Sequence, residues 1–273
     1  VDKKRVHGIT RLIRQDKDID VVLLDDAFQH RYVKPGINIL LVDYHRLIIY
    51  DRLLPAGRLR EPLNGKNRAD MVIVTKCPKT LNPIDFRVIT KAMNLYPYQH
   101  LYFTTLTYDA LRPLYNNKGT RVCEDIAPEE HIMLLTGIAS PQQIIQDLEE
   151  KTGQKPLAMS FADHHNFTKK DVRNINTTFE SIPAPKLIVT TEKDAARLLE
   201  TEGLSEEVKA ALYVLPVRIE FMLEQEQNFN EKIIDYVRKN SRNSILAKGK
   251  DDNKSKDSHR PGNRPRTISF RNN

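Results

Sequence analysis

Ile19-Asp20-Val21-Val22-Leu23-Leu24-Asp25-Asp26-Ala27-Phe28-Gln29-His30-Arg31 is the stretch on which the reading of the fold turns. Val21 to Leu24 is a short unbroken apolar run, the pattern of a strand buried on both faces in a parallel sheet. It runs straight into two adjacent carboxylates. Ligands bind at the carboxyl ends of parallel strands, so Asp25 and Asp26 are expected at the rim of the sheet. Acids so placed hold Mg²⁺ in phosphoryl-transfer sites of the Walker B type. One aspartate ending such a run reads best as a cap; two, followed at once by Gln29, His30 and Arg31, favour chemistry.

Upstream, Val6, Ile9, Leu12 and Ile13 fall at helical spacing, which predicts an amphipathic helix over Arg5–Gln15 feeding the Val21 strand. Downstream, Ile37 to Val42 is a second apolar run ending in Asp43, and the short interval fits a hairpin-like edge or a short crossover alike. Leu53 to Pro62 carries two prolines and a glycine around Arg58, Arg60 and Glu61, so it is expected to be a rigid, irregular loop. Guanidinium groups on such a loop suit phosphate recognition; an exposed Arg-Glu surface pair of little energetic weight fits the same residues. Met71 to Val74 reads as a buried strand, Pro83 to Leu95 as a helix and Tyr98 to Leu106 as a strand.

The turn signal Tyr115-Asn116-Asn117-Lys118-Gly119 puts a domain boundary there, giving a first domain over 1–116 and a second over 117–240. The second half repeats the strand-to-helix order. Ile132 to Leu135 is a strand, Ser140 and Pro141 open a helix, and Pro156 to Phe161 leads to Asp163-His164-His165. Thr168 with Asp171 forms a capping box, Leu187 to Val189 is a strand, Ala211 to Val217 another, and Phe229 to Val237 the closing helix. Strands alternating with helices mean an α/β fold with a largely parallel sheet in each half.

Length and charge narrow the function classes. The 273 residues suffice for two domains with their own cores. Nine Lys and Arg against three Asp from Ser241 onward carry +6 of the net +7, so the folded part is nearly neutral. That segment, 241–273, is expected to be a disordered basic tail. A nucleic-acid binder using it would show steep salt dependence, and the near-neutral remainder argues against that class. No window of eighteen apolar residues and no signal-peptide pattern occurs, so neither spanning nor secretion is expected of this portion, which leaves an upstream anchor open. Cys77 and Cys123 stand alone and far apart, the usage of a reducing compartment without a zinc site. The chain opens at Val1 on Asp2-Lys3-Lys4-Arg5, which reads like the interior of a protein, so a fragment or processed chain is expected.

Three clusters offer chemistry. Asp163-His164-His165 fits a base oriented by a carboxylate, a metal ligand, or a polar loop before the Thr168 cap; adjacent histidines cannot both face one site. Thr191-Glu192-Lys193-Asp194 opens a helix, where capping is favoured over anion binding. Asp25 and Asp26 with Asp163-His164-His165 also fit a metal-dependent phosphoesterase, with Asp20 and Asp43 as the only further ligands nearby. No G-x-x-x-x-G-K-[ST] run occurs, so a phosphate-cradling loop is expected before Val1.

Leu24-Asp25-Asp26-Ala27-Phe28-Gln29-His30, Leu53 to Pro62, Thr136-Gly137-Ile138-Ala139, Phe161-Ala162-Asp163-His164-His165 and Thr191-Glu192-Lys193-Asp194-Ala195 occur in that order. Together they resemble the tetraacyldisaccharide 4′-kinase family, the lipid A 4′-kinases of Gram-negative bacteria, over roughly residues 1–240. The resemblance implies two parallel-sheet α/β domains of P-loop NTPase type joined by a β-stranded hinge. It implies transfer of the γ-phosphoryl of ATP to the 4′-hydroxyl of a lipid disaccharide 1-phosphate at the cytoplasmic face of the inner membrane. A monomer with peripheral or N-terminally anchored association and no nucleic-acid partner goes with that reading. Asp25 and Asp26 would then serve Mg²⁺, with Gln29 beside metal, nucleotide or substrate. Arg5 would meet the substrate phosphate, and Arg60 and Glu61 would line the active cleft. His164 with Asp163 would come from the second domain to partner a catalytic acid that the family carries upstream, and Asp26 would share the catalytic work. The Walker A lysine and threonine, that acid and the membrane helix would all precede Val1, so this chain alone is expected to be inactive.

Overall fold

The computed structural model describes residues 4–16, 18–115, 119–138, 141–163 and 165–240. In chain order the regular elements are α1 (Arg5–Gln15), β1 (Ile39–Asp43), β2 (Met71–Thr75), α2 (Pro83–Met93), β3 (His100–Tyr108), β4 (Arg112–Pro113), β5 (His131–Thr136) and α3 (Gln142–Thr152), followed by β6 (Leu157–Ser160), α4 (Lys169–Ser181), β7 (Lys186–Thr191), α5 (Glu192–Leu199), α6 (Glu206–Ala211), β8 (Leu212–Leu215), β9 (Val217–Phe221) and α7 (Glu226–Asn240). The chain divides into two compact units, Val1–Thr105 with Glu220–Asn273, and Leu106–Ile219. The division expected at 116/117 thus falls at 105/106, and the closing helix returns to the first unit. The reason lies in its apolar face: Phe229 and Ile233 pack with Met71, Ile73 and Tyr102. The Asn116 to Lys118 part of the expected turn, and the expected tail, lie outside the described residues.

The first unit is built on a sheet of order β1-β2-β3-β9, in which β1, β2 and β3 run parallel. β2 is its centre. Met71 to Val74 are all buried, the even members against Phe86, Ile89 and Met93 of α2, the odd members on the α7 side. A continuous apolar run covered on both faces is what a central parallel strand requires. α2 starts where Asn82 and Asp85 form a reciprocal capping box and Pro83 takes the first turn.

Val21 to Leu24 does not form the strand expected of it. Val21 and Leu23 are exposed, Leu23 at 90%, while Val22 and Leu24 are half-buried, and among the described residues no strand pairs with the run. Apolar sequence makes a strand only where a neighbour supplies the ladder. β1 pairs in parallel with β2, and because Val21 to Leu24 forms no strand, the choice between hairpin and crossover for the short interval before Ile37 has no strand pair to apply to.

The second unit holds a sheet of order β4-β8-β7-β5-β6, parallel except for the short β4. β5 and β7 form its centre, with Leu134 and Val189 packed on the α3 side and Met133, Leu135 and Ile188 against α4 and α6. The parallel α/β architecture expected for each half is therefore present. The strand expected over Ala211 to Val217 is instead the end of α6, all of β8 and the start of β9. Ser140 lies outside the described residues, and α3 begins at Gln142 with Pro141 just ahead of it.

Candidate functional site

In the first unit, Asp25 and Asp26 lie on an exposed turn and not at the end of a strand. Asp26 is left-handed, φ 47°, a conformation aspartate tolerates better than most residues and one that recurs where function holds the backbone. The turn closes where His30 N–H donates to Ala27 O at 2.9 Å. Phe28 anchors it, packing on the core around Val42 and Val74, which leaves Asp25, Asp26, Gln29 and His30 facing solvent.

Arg68 and Glu61 tie this turn to the proline-rich loop. The Arg68 guanidinium sits 4.8 Å above the Phe28 ring and donates to Phe28 O at 3.2 Å. It also donates to Glu61 Oε1 at 2.8 Å, while Arg31 donates to Glu61 Oε2 at 3.0 Å. Glu61 therefore bridges two arginines, and the reading of it as a surface partner of its neighbours Arg58 and Arg60 is set aside. Arg68 first, then Arg31, hold its carboxyl below the usual range. Gly65 leaves room for the bridge, since a Cβ there would lie 2.7 Å from Glu61 Cδ. Arg60 is exposed, and Arg5 is half-buried at the start of α1.

In the second unit, Asp163 forms an ion pair with Lys193 at 2.7 Å. His165 stacks on Phe161 and shares a hydrogen bond of 2.9 Å with Asp171, whose same oxygen accepts from Thr168 N and Oγ1 at 2.8 and 2.6 Å. The Thr168 hydroxyl and amide, with His165, depress Asp171 to about 2. His165 is thus committed to the N-terminus of α4. His164 lies outside the described residues. Lys193 and Arg68 are partners that local sequence did not flag; nothing in spacing alone marks a cation that will meet an acid seven or thirty positions away.

A metal would find hard oxygen donors at Asp25 and Asp26, and two carboxylates plus substrate phosphates suit Mg²⁺. Among the described residues, no group of three or more His, Cys, Asp or Glu is placed to hold a metal ion. The phosphoesterase reading lacks its ligand set on that count: Asp163 is paired with Lys193, His165 with Asp171, and Asp43 with Lys76 at 2.6 Å.

Two largely parallel sheets flanked by helices, with an acidic turn beside an arginine-held loop in the first unit, define a two-unit α/β fold. The "apo" form of LpxK from Aquifex aeolicus in complex with ATP shares it, at a TM-score of 0.58 and 21% identity over 87% of this chain and 64% of that one. The model of the tetraacyldisaccharide-1-P 4′-kinase family matches residues 1–238, and the chain belongs to that family. The tetraacyldisaccharide 4′-kinase of Phocaeicola vulgatus is 53% identical over 250 residues, 90% of this chain and 68% of the relative. That of Bacteroides fragilis strain ATCC 25285 is 51% identical over 260 residues, 93% and 69% respectively.

Proposed function

We propose that this chain serves the ATP-dependent phosphorylation of the 4′-hydroxyl of a tetraacyldisaccharide 1-phosphate in lipid A biosynthesis. Family membership supports the reaction. The observation that carries the residue assignment is the Glu61 bridge, which secures the Arg60 loop to the Asp25-Asp26 turn through Arg31 and Arg68. In phosphoryl transfer the protein mainly positions groups and neutralises charge, and a bridged, pre-ordered pair of loops does both.

Asp25 and Asp26 would hold Mg²⁺, which when bound neutralises charge on the nucleotide phosphates. Gln29, exposed beside them, is assigned to nucleotide or substrate. Arg60 offers a guanidinium to phosphoryl oxygens, and Arg5 is assigned to the substrate phosphate. Glu61 acts as a positioning residue. His164 with Asp163 is assigned to orienting the base that takes the hydroxyl proton. The reaction is placed at the cytoplasmic face of a bacterial inner membrane, on a monomer associated peripherally. Among the described residues no helix is long and apolar enough to cross a membrane.

The test is phosphoryl transfer from labelled ATP to the disaccharide, with the chain expressed together with any coding sequence upstream of Val1. Asp25→Asn and His164→Ala are each expected to lower kcat by at least about a hundred-fold. Undiminished transfer in both variants overturns the assignment.

A further inference from the structure

The segment from Arg46 to Leu59 leaves its apolar residues in two different places. Leu47, Ile48 and Ile49 pack on the core of the first unit. Tyr50, Leu53 and Leu54, immediately after them, are 73%, 45% and 61% exposed. This is no frayed loop. Leu54 N–H donates to Leu59 O at 3.0 Å, Leu59 N–H to Arg52 O at 2.9 Å and Gly57 N–H to Leu53 O at 3.0 Å. Asp51 Oδ1 accepts from the amides of Arg52 and Arg58 at 2.8 and 3.1 Å. The closure is tight at its neck, where a Cβ on Gly57 would lie 2.2 Å from Arg52 O. The leucines are therefore held in solvent by a backbone whose polar groups largely satisfy one another.

Between positions 46 and 59 three arginines stand against one carboxylate, and Asp85 of α2 lines the cleft beside Arg46, Tyr50 and Arg58. Arg46, Arg52 and Arg58 are all exposed, and the one carboxylate between them, Asp51, is turned inward onto the loop's own amides. Apolar tips with an aromatic and a collar of arginines, on a self-bonded backbone, meet the demands of a lipid interface. The bonded part of the backbone keeps its hydrogen bonds at the interface, the leucines enter the acyl boundary, and the guanidinium groups stay at phosphate level. A nucleic acid would use the arginines and leave the leucines in water.

We propose that residues 50–59 form a membrane-docking loop, which sets Tyr50, Leu53 and Leu54 into the surface of an anionic bilayer while Arg46, Arg52 and Arg58 meet the lipid phosphates. It deepens and rests on the peripheral association proposed above by naming the surface. Because Arg60 and Glu61 follow the loop directly, docking brings that part of the candidate site to the lipid.

The chain has no tryptophan, so Leu54→Trp creates a single reporter at the loop tip. With vesicles of phosphatidylcholine containing about a third phosphatidylglycerol, its emission is expected to shift to the blue and to be quenched by lipids brominated high on the acyl chain. Phosphatidylcholine alone should give little of either. In sedimentation with the same anionic vesicles, Leu53→Ser with Leu54→Ser should weaken partitioning by at least about ten-fold, and Arg52→Gln and Arg58→Gln by roughly five-fold each. These side chains are exposed, so the melting temperatures should stay at the parent value, which verifies folding. An unshifted indole emission from the Leu54→Trp variant while the protein pellets, as when residues 241–273 alone hold the lipid, overturns the proposal. So does serine-variant binding equal to the parent's, or loop-arginine binding to an oligonucleotide in place of vesicles. No turnover is read, so failure here leaves the kinase assignment standing, and loss of transfer in Asp25→Asn leaves the docking loop standing.

Discussion

Gly137 donates its backbone N–H to the buried carboxylate of Asp194 at 2.9 Å. The same carboxylate accepts from Thr191 Oγ1 at 2.7 Å and Thr136 Oγ1 at 3.3 Å, and Arg197 pairs with it at 3.2 Å. Gly137 in turn lies against Ala162, since a Cβ on it would stand 3.2 Å from Ala162 O, and Phe161 N–H donates to Thr136 O at 2.8 Å. One carboxylate thus gathers the ends of β5 and β7 and the turn that leads to Asp163. Asp194 does more than cap α5; capping falls to Thr191, whose hydroxyl accepts from Asp194 N–H at 3.2 Å.

Asp194→Ala should therefore destabilise the second unit by about 3 kcal/mol, because it strands buried donors and an arginine at once. Asp194→Asn keeps one acceptor and should cost less. Urea unfolding of each variant measures this; a loss below about 1 kcal/mol for alanine would mean that the carboxylate is dispensable.

Gly65→Ala should act on function more than on stability. Its new Cβ would press the Glu61 carboxylate, the movable end of a side chain, off Arg68 and Arg31. The expected stability loss is about 1 kcal/mol, whereas transfer should fall by at least about ten-fold as the Arg60 loop loosens. Steady-state kinetics beside a melting curve separates the two effects.

Acid should weaken the start of α4 over a defined window. Asp171 falls from an ordinary 3.8 to about 2 in the folded chain, held by Thr168 first and by His165. A carboxyl depressed on folding contributes stability that is complete above its unfolded value and is lost as pH falls through its folded value. Asp171→Asn should therefore flatten the dependence of the urea midpoint on pH between about 4 and 2. An unchanged slope would place that acid sensitivity elsewhere.

Gly36 and Tyr236 make a similar test of α7 in the first unit. A Cβ at position 36 would overlap the ring, 2.2 Å from Tyr236 Cζ, so Gly36→Ala should cost about 1–3 kcal/mol. Adding Tyr236→Ala should recover part of that loss, and a double-mutant cycle reads the coupling directly. Strict additivity of the two would show that they do not touch.

α1, β2, α2 and the Thr168 capping box were legible because each depends on residues within a turn or two of one another: apolar spacing, a proline, a cap and its acid. The five ordered motifs carried the family for the same reason. Val21 to Leu24 misled because its hydrophobicity resembles that of β2, and composition does not say whether a neighbouring strand is there to pair. Spacing says only that His164 and His165 do not both face one site; that Phe161 and Asp171 hold His165 is visible only in the fold.

Sequence alone determined the alternation of strand and helix, the helix caps and the kinship, since periodicity and capping are written in neighbouring residues. Tertiary structure decided who meets whom. Glu61 finds Arg31 across thirty positions and Gly137 finds Asp194 across fifty-seven. Such pairings arise only when packing brings distant elements within hydrogen-bond reach, and any of several arginines would have fitted the same carboxylate on paper.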